Sequence, residues 1–108
     1  MEALLVTFKT PASEEQFTAA TAEHAPAFAE LDGLLAKIWV AEPESGSYGG
    51  IYLFRDRAAL DAYLASDLFE SILAEPNFEG PSWHCYHVLD ELTARTQPGL
   101  PIVGGVTA

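Results

Sequence analysis

Apolar side chains emerge on both sides of the strand-like runs in this sequence, and no other feature constrains its fold as tightly. Ala3 to Lys9 sets Leu4, Val6 and Phe8 on one side and Ala3 and Leu5 on the other, because side chains alternate along a strand. Leu34 to Glu42 sets Ile38 and Val40 against Leu35 and Trp39, and Tyr48 to Arg55 sets Ile51 and Leu53 against Tyr52 and Phe54. A fourth run spans Ser82 to Leu89. A sheet with one wet face reads apolar and polar in alternation. This one does not, so both faces are expected to be covered. Helices suffice for one face. A second copy of the chain, in a two-fold pair, is expected to shield the other. The apolar tail residues Leu100, Ile102, Val103 and Val106 are placed to lie across that partner.

Helix signals fill the gaps between the runs. Ser13-Glu14-Glu15-Gln16 has the form of a capping box, and the two acids suit the positive end of a helix dipole. Phe17, Ala20, His24, Phe28 and Leu31 recur at three- and four-residue steps and predict one inward face. Pro26 lacks an N–H donor and is expected to kink or restart that helix, and Asp32-Gly33 closes it. Pro43 to Ser47 reads as a turn joining a hairpin. Asp56 is placed to cap a second helical segment with Leu60, Tyr63 and Leu64 inward. Ser66-Asp67 restarts it, with Leu68, Phe69, Ile72 and Leu73 continuing the stripe. Pro76 to Pro81 reads as a loop. The order β-α-β-β-α-β predicts an α+β, ferredoxin-like domain: a four-stranded antiparallel sheet with helices on one face. It covers residues 1–94, and a Gly/Pro-rich tail covers 95–108.

A chain of 108 residues with net charge -11, from 16 acidic and 5 basic residues, repels phosphate backbones and anionic lipid headgroups. That argues against nucleic acid and membranes as partners. The single cysteine, Cys85, allows no disulfide within the chain and no thiolate metal knuckle. A small buried thiol fits a reducing cytoplasm. The first apolar run is too short for a signal peptide, and no segment approaches the ~18 apolar residues that span a bilayer.

Gly33 to Glu42 (GLLAKIWVAE), followed by Gly49 to Asp56 (GGIYLFRD), resembles the YdhR-type mono-oxygenases. These are part of the dimeric α/β-barrel superfamily, alongside cofactor-free antibiotic-biosynthesis mono-oxygenases. The likeness is carried by K-x-W at Lys37 and Trp39 and by G-G-I-Y-L-F at Gly49, Gly50, Ile51, Tyr52, Leu53 and Phe54. Ala59 to Leu64 and Val88 to Asp90 are also similar. The resemblance implies a homodimeric barrel with a pocket between helices and sheet, and a cofactor-independent oxygenase. The superfamily also holds polyketide cyclases and haem-degrading enzymes. The asparagine–tryptophan–histidine set of the latter has no secure counterpart here.

Four groups of residues are candidates for chemistry. His24 lies on the inward stripe, where an imidazole with an ordinary pKa near ~6.5 is suited to general-base work; the alternative is a histidine satisfied by a backbone carbonyl. In Trp83-His84-Cys85-Tyr86-His87, strand alternation puts His84 and Tyr86 on one face and Trp83, Cys85 and His87 on the other. His84 and Tyr86 are assigned to the pocket. His84 and His87 cannot meet on one strand face, and no histidine pattern fits a metal site. Trp39, Tyr48, Tyr52 and Phe54 form the aromatic set for a flat ligand, although packing is the common use of such residues; Phe28 joins them as a binding residue. Lys37, between apolar neighbours, pairs with an acid such as Asp90 or orients an anionic, enolate-like substrate, although a surface lysine with a buried stem is the commoner case. Gly49-Gly50 marks a bulge or a close approach of backbone, and lacks the pattern of a phosphate loop.

The expected activity is a mono-oxygenase reaction on a phenol, hydroquinone or polyketide-like ring, with no metal and no cofactor. A polyketide-type cyclase or isomerase would need the same base and slot but no oxygen. A non-catalytic dimer that only binds a small apolar ligand is the third reading.

Overall fold

The computed structural model describes residues 1–99, so the tail residues expected to lie across a partner fall outside the described residues. Its elements are β1 (Glu2–Lys9), α1 (Glu14–Ala22), α2 (Ala25–Ala29), β2 (Leu34–Glu42), β3 (Ser47–Phe54), α3 (Arg57–Leu64), α4 (Asp67–Ala74), β4 (Glu79–His87) and α5 (Asp90–Ala94). The strands form one antiparallel sheet in the order β2-β3-β1-β4. This is the ferredoxin-like α+β arrangement that the order of elements predicted.

Local chemistry sets most of the boundaries. Ser13 Oγ accepts from the Gln16 amide at 3.1 Å while Gln16 Oε1 accepts from the Ser13 amide at 2.9 Å, closing the capping box. Asp56 caps α3 through the Ala59 amide at 2.9 Å, and Ser66 caps α4 through the Phe69 amide at 3.2 Å. Each such cap contributes about 1 kcal/mol. Pro26 stands in the first turn of α2, where its missing N–H costs nothing, so the expected kink is a clean restart. The predicted inward stripe is broken there. Phe17 and Phe28 are buried, but Ala20 and His24 are exposed.

The core fills the layer between helices and sheet. Leu4 and Val6 of β1 and Tyr52 and Phe54 of β3 meet Phe28, Leu60, Tyr63 and Phe69 from the helices. Leu4, Phe54 and Leu60 have no accessible surface, and each fully buried side chain of this size contributes roughly 1.5–3 kcal/mol. On the opposite face Leu5, Val40 and Ile51 are half-buried and Ile38 is exposed, so apolar surface emerges on both sides of the sheet.

Two features depart from a regular ladder. Leu34 pairs with Phe54 and Ala36 with Leu53, leaving Leu35 as an extra residue in β2, a β-bulge. Leu35 was expected to share a face with Trp39; the bulge breaks that alternation and leaves Leu35 51% exposed. The ladder between β1 and β4 shifts between Thr7 and Lys9, opposite Gly80, whose φ is 56°. Glu79 to Pro81, read as loop, therefore belongs to β4, an edge strand that tolerates a proline. That strand ends at His87, and the short helix α5, which the sequence pattern did not announce, follows it. Asp90 at its start binds the Met1 amine at 3.1 and 3.0 Å. The expected pairing of Asp90 with Lys37 is therefore corrected: the acid is engaged at the other end of the sheet.

Candidate functional site

Between the sheet and helices α1, α2 and α4 lies a cavity of about 220 Å³. That is slightly below the ~300–1,000 Å³ of common small-molecule sites, a size for a small flat ligand. Its lining is mostly apolar: Val6, Phe8 and Phe17 at one end, Phe28 and Trp39 at the other, and Leu68 and Ile72 of α4 above.

Residues of β2 and β3 make the floor. Lys37 lies opposite Tyr52 and Trp39 opposite Gly50, and all four line the cavity. A Cβ on Gly50 would come within 2.8 Å of Lys37 Cε, and one on Gly49 within 1.9 Å of the Val6 carbonyl oxygen. The glycine pair is thus a close approach, as its sequence allowed. Gly49 lets β3 sit tight on β1, and Gly50 leaves room for the lysine stem.

Lys37 Nζ stands 3.3 Å from the centroid of the Phe28 ring, 3.5 Å from that of Trp39 and 4.6 Å from that of Tyr52. The Phe28 and Trp39 rings meet edge to face, with centroids 5.4 Å apart. The faces of three rings attract the ammonium, whereas loss of water acts against it. Burial brings the Lys37 pKa down from 10.5 to about 7. Among the described residues no carboxylate forms an ion pair with Lys37.

Tyr52 reaches from the floor toward α3, and its hydroxyl meets that of Tyr63 at 2.9 Å. Burial pushes Tyr52 up to about 12, opposed by the hydrogen bond from Tyr63. Burial, together with its Tyr52 neighbour, drives Tyr63 far above the usual phenol range. Both remain protonated at neutral pH and share one hydrogen bond, in which either hydroxyl can be the donor.

The cavity also has a polar rim. His24, exposed at the start of α2, is on it. So is Glu75, whose Oε1 accepts from the backbone and side-chain amides of Asn77 at 3.2 and 3.1 Å. Thr21 and Ser71 complete it.

Five expected site residues therefore come together here: His24, Phe28, Lys37, Trp39 and Tyr52. Phe54, His84 and Tyr86 do not. Phe54 has no accessible surface and packs on Tyr52 and Tyr63. His84 pairs with Leu5 and Tyr86 with Ala3, which puts both on the open face of the sheet, away from the cavity. Their assignment to the pocket is corrected. Trp83 takes the helix side of β4 instead and meets Phe69 edge to face at 5.2 Å. Alternation sorted the two sets properly; which set faced inward depended on pairing with β1. Glu75 and Ser71 were missed, although the stripe Leu68–Ile72 extends at helical spacing to Glu75. Among the described residues no group of three or more His, Cys, Asp or Glu side chains is gathered to hold a metal ion.

The family model described as "Putative mono-oxygenase ydhR" matches residues 3–98. No curated protein matches the chain at a significant level. Among solved structures, NE2512 of Nitrosomonas europaea, a protein of unknown function, is 21% identical with a TM-score of 0.68, over 82% of this chain and 88% of its own. A variant of SnoaB, a cofactor-independent oxygenase from Streptomyces nogalater, is 19% identical with a TM-score of 0.64, over 82% and 92%. MhuD with two manganese protoporphyrin IX molecules bound per active site is 15% identical with a TM-score of 0.65, over 82% and 95%. These likenesses establish a shared fold.

Proposed function

Because the chain belongs to the ydhR mono-oxygenase family, we propose that it is a cofactor-independent mono-oxygenase of a small phenol or hydroquinone. The observation that carries this reading is the aromatic cavity with Lys37 in its floor. A flat ring fits between Phe28 and Trp39 on one side and Leu68 and Ile72 on the other. The Tyr52 ring lies in the floor beneath it, its hydroxyl turned to Tyr63. His24 at the rim takes the phenolic proton as general base. The electron-rich anion then passes electrons to O₂. One oxygen atom replaces a ring hydrogen, opposite the hydroxyl in a phenol and beside one in a hydroquinone, and the other leaves as water. The phenol becomes a quinone and itself supplies the four electrons.

In this proposal residues 1–94 act as one domain that pairs with a second copy through the open sheet face, the reading supported by Leu5, Ile38, Val40 and Ile51 emerging there. The protein works in the cytoplasm, a reading supported by the unpaired Cys85. No helix among the described residues is long and apolar enough to cross a membrane.

Oxygen uptake by metal-stripped protein over a panel of phenols and hydroquinones tests the activity. Uptake matched by quinone formation is expected. Turnover of a polyketide-like substrate that persists without oxygen would replace the oxygenase by a cyclase.

A further inference from the structure

We propose that the cavity selects an aromatic oxyanion, a phenolate or an arenecarboxylate, and seats its negative oxygen on the Lys37 ammonium. This rests on the ligand-cavity reading above and narrows its substrate class by charge.

Among the cations, Arg55 lies beside Asp32 and Asp56, Arg57 beside Asp61, Arg95 beside Glu91, and the Met1 amine beside Asp90. Lys9, like Lys37, is in none of these pairs, but it is exposed and keeps its water. In a chain with 16 acidic residues, Lys37 is passed over by all those described, although it is the one Lys or Arg that lines the cavity. A cation removed from water without a counter-ion is costly. The faces of Phe28, Trp39 and Tyr52 return part of that cost. What the arrangement lacks is an anion, and the cavity is where one fits.

Other features fit this occupant. Gly50 clears the path of the Lys37 stem, so the ammonium is held at the cavity floor. Phe28 and Trp39, which cage the ammonium, also offer ring faces to an aromatic body attached to the oxyanion. The Tyr52 ring, the third beside the ammonium at 4.6 Å, closes the floor beneath the same oxygen. The titratable groups facing this region are His24 from the start of α2, Glu75 from the end of α4, and Tyr52 and Tyr63. Glu75 is held by Asn77, so its charge stays at the rim.

Protonation of Lys37 is then linked to binding. In the empty cavity burial holds the amine near 7, and a bound oxyanion raises it. Affinity for the anion is therefore full below about pH 7 and falls by up to about tenfold per pH unit above it, until the raised pKa of the complex is reached.

Calorimetric titration of the full chain with 2-naphthoate and its neutral isostere 2-naphthamide tests this without any turnover. The carboxylate is expected to bind at least about tenfold tighter, as suits a charge-assisted hydrogen bond. Its preference should fade as pH rises past neutrality, and Lys37→Met should abolish it while keeping the amide bound. Titration with a nitro-substituted 2-naphthol acidic enough to ionise while Lys37 still holds its proton compares the phenolate with the carboxylate. Tighter binding of whichever oxyanion over its neutral form supports the proposal and names the source. Equal binding of naphthoate and naphthamide, or a preference that survives in Lys37→Met, overturns the charge assignment and leaves the aromatic pocket standing. Failure of all these ligands to bind overturns both.

Discussion

The hydroxyl of Tyr52 meets that of Tyr63 at 2.9 Å, and this bond ties the floor of the cavity to the inner face of α3. Tyr52 lines the cavity; Tyr63 is 2% exposed and stands among Phe28, Phe54 and Phe69. Whatever fixes Tyr63 fixes the Tyr52 ring in the cavity floor.

Tyr63→Phe deletes one hydroxyl and leaves the other buried without this partner. A cost of about 1–3 kcal/mol is expected, the penalty for an orphaned buried polar group. The hydrogen bond from Tyr63 lowers the Tyr52 pKa, so the variant should titrate Tyr52 still later. Urea unfolding measures the first effect and ultraviolet phenol titration the second.

Lys37 gives the protein a pH-dependent stability with a definite sign. Its pKa falls from 10.5 to about 7 on folding, so between those values the unfolded chain holds more protons than the native one. Stability then rises with pH across that window. Below it, the full penalty of burying the charge is present. The difference between wild type and Lys37→Met, measured by denaturation across the same pH range, should shrink as the solution becomes alkaline. A difference independent of pH would remove Lys37 from the apolar interior.

Gly50→Ala puts a methyl group within 2.8 Å of Lys37 Cε. In an open strand the change would gain a few tenths of a kcal/mol or more. Here overpacking of about 1–3 kcal/mol is expected instead, with the lysine stem displaced and ligand affinity lowered. Thermal unfolding and ligand titration of the same variant measure both.

The two histidines offered by the sequence should separate in activity. His24→Ala is expected to reduce oxygen uptake by about 10²–10⁴-fold, the range for a lost general base. His84→Ala, on the other sheet face, should retain the chemical step. Its change is read in sedimentation, where the proposed pairing of two copies would weaken. Equal losses of uptake in both variants would contradict the assignment of the base.

The order of elements, the caps at Ser13, Asp56 and Ser66, and the sorting of β4 into two faces were all legible in the sequence. Each depends on contacts a few residues apart. Which of those faces looked inward was not legible, because it is fixed by the pairing of Trp83 with Val6 and His84 with Leu5, long-range relations that alternation alone does not carry. Phe54 shows the same gap. Its parity with Tyr52 was right, yet one ring ends at the cavity and the other two residues along in closed core. The short α2 also escaped the periodicity, since Pro26 restarts the phase and turns His24 out to the rim.

Leu34 and Lys37 are three positions apart, an odd separation that would send them in opposite directions from an unbroken ladder. Both are nonetheless required beneath the helices: one packs on the core and the other is ringed by aromatics. The supernumerary Leu35 reconciles them by absorbing the half-step. Straighten the bulge while keeping that residue in the ladder, and β2 must surrender either its greasy anchor or its caged amine to the far side. A single half-exposed position thus decides whether the pocket carries a charge at all.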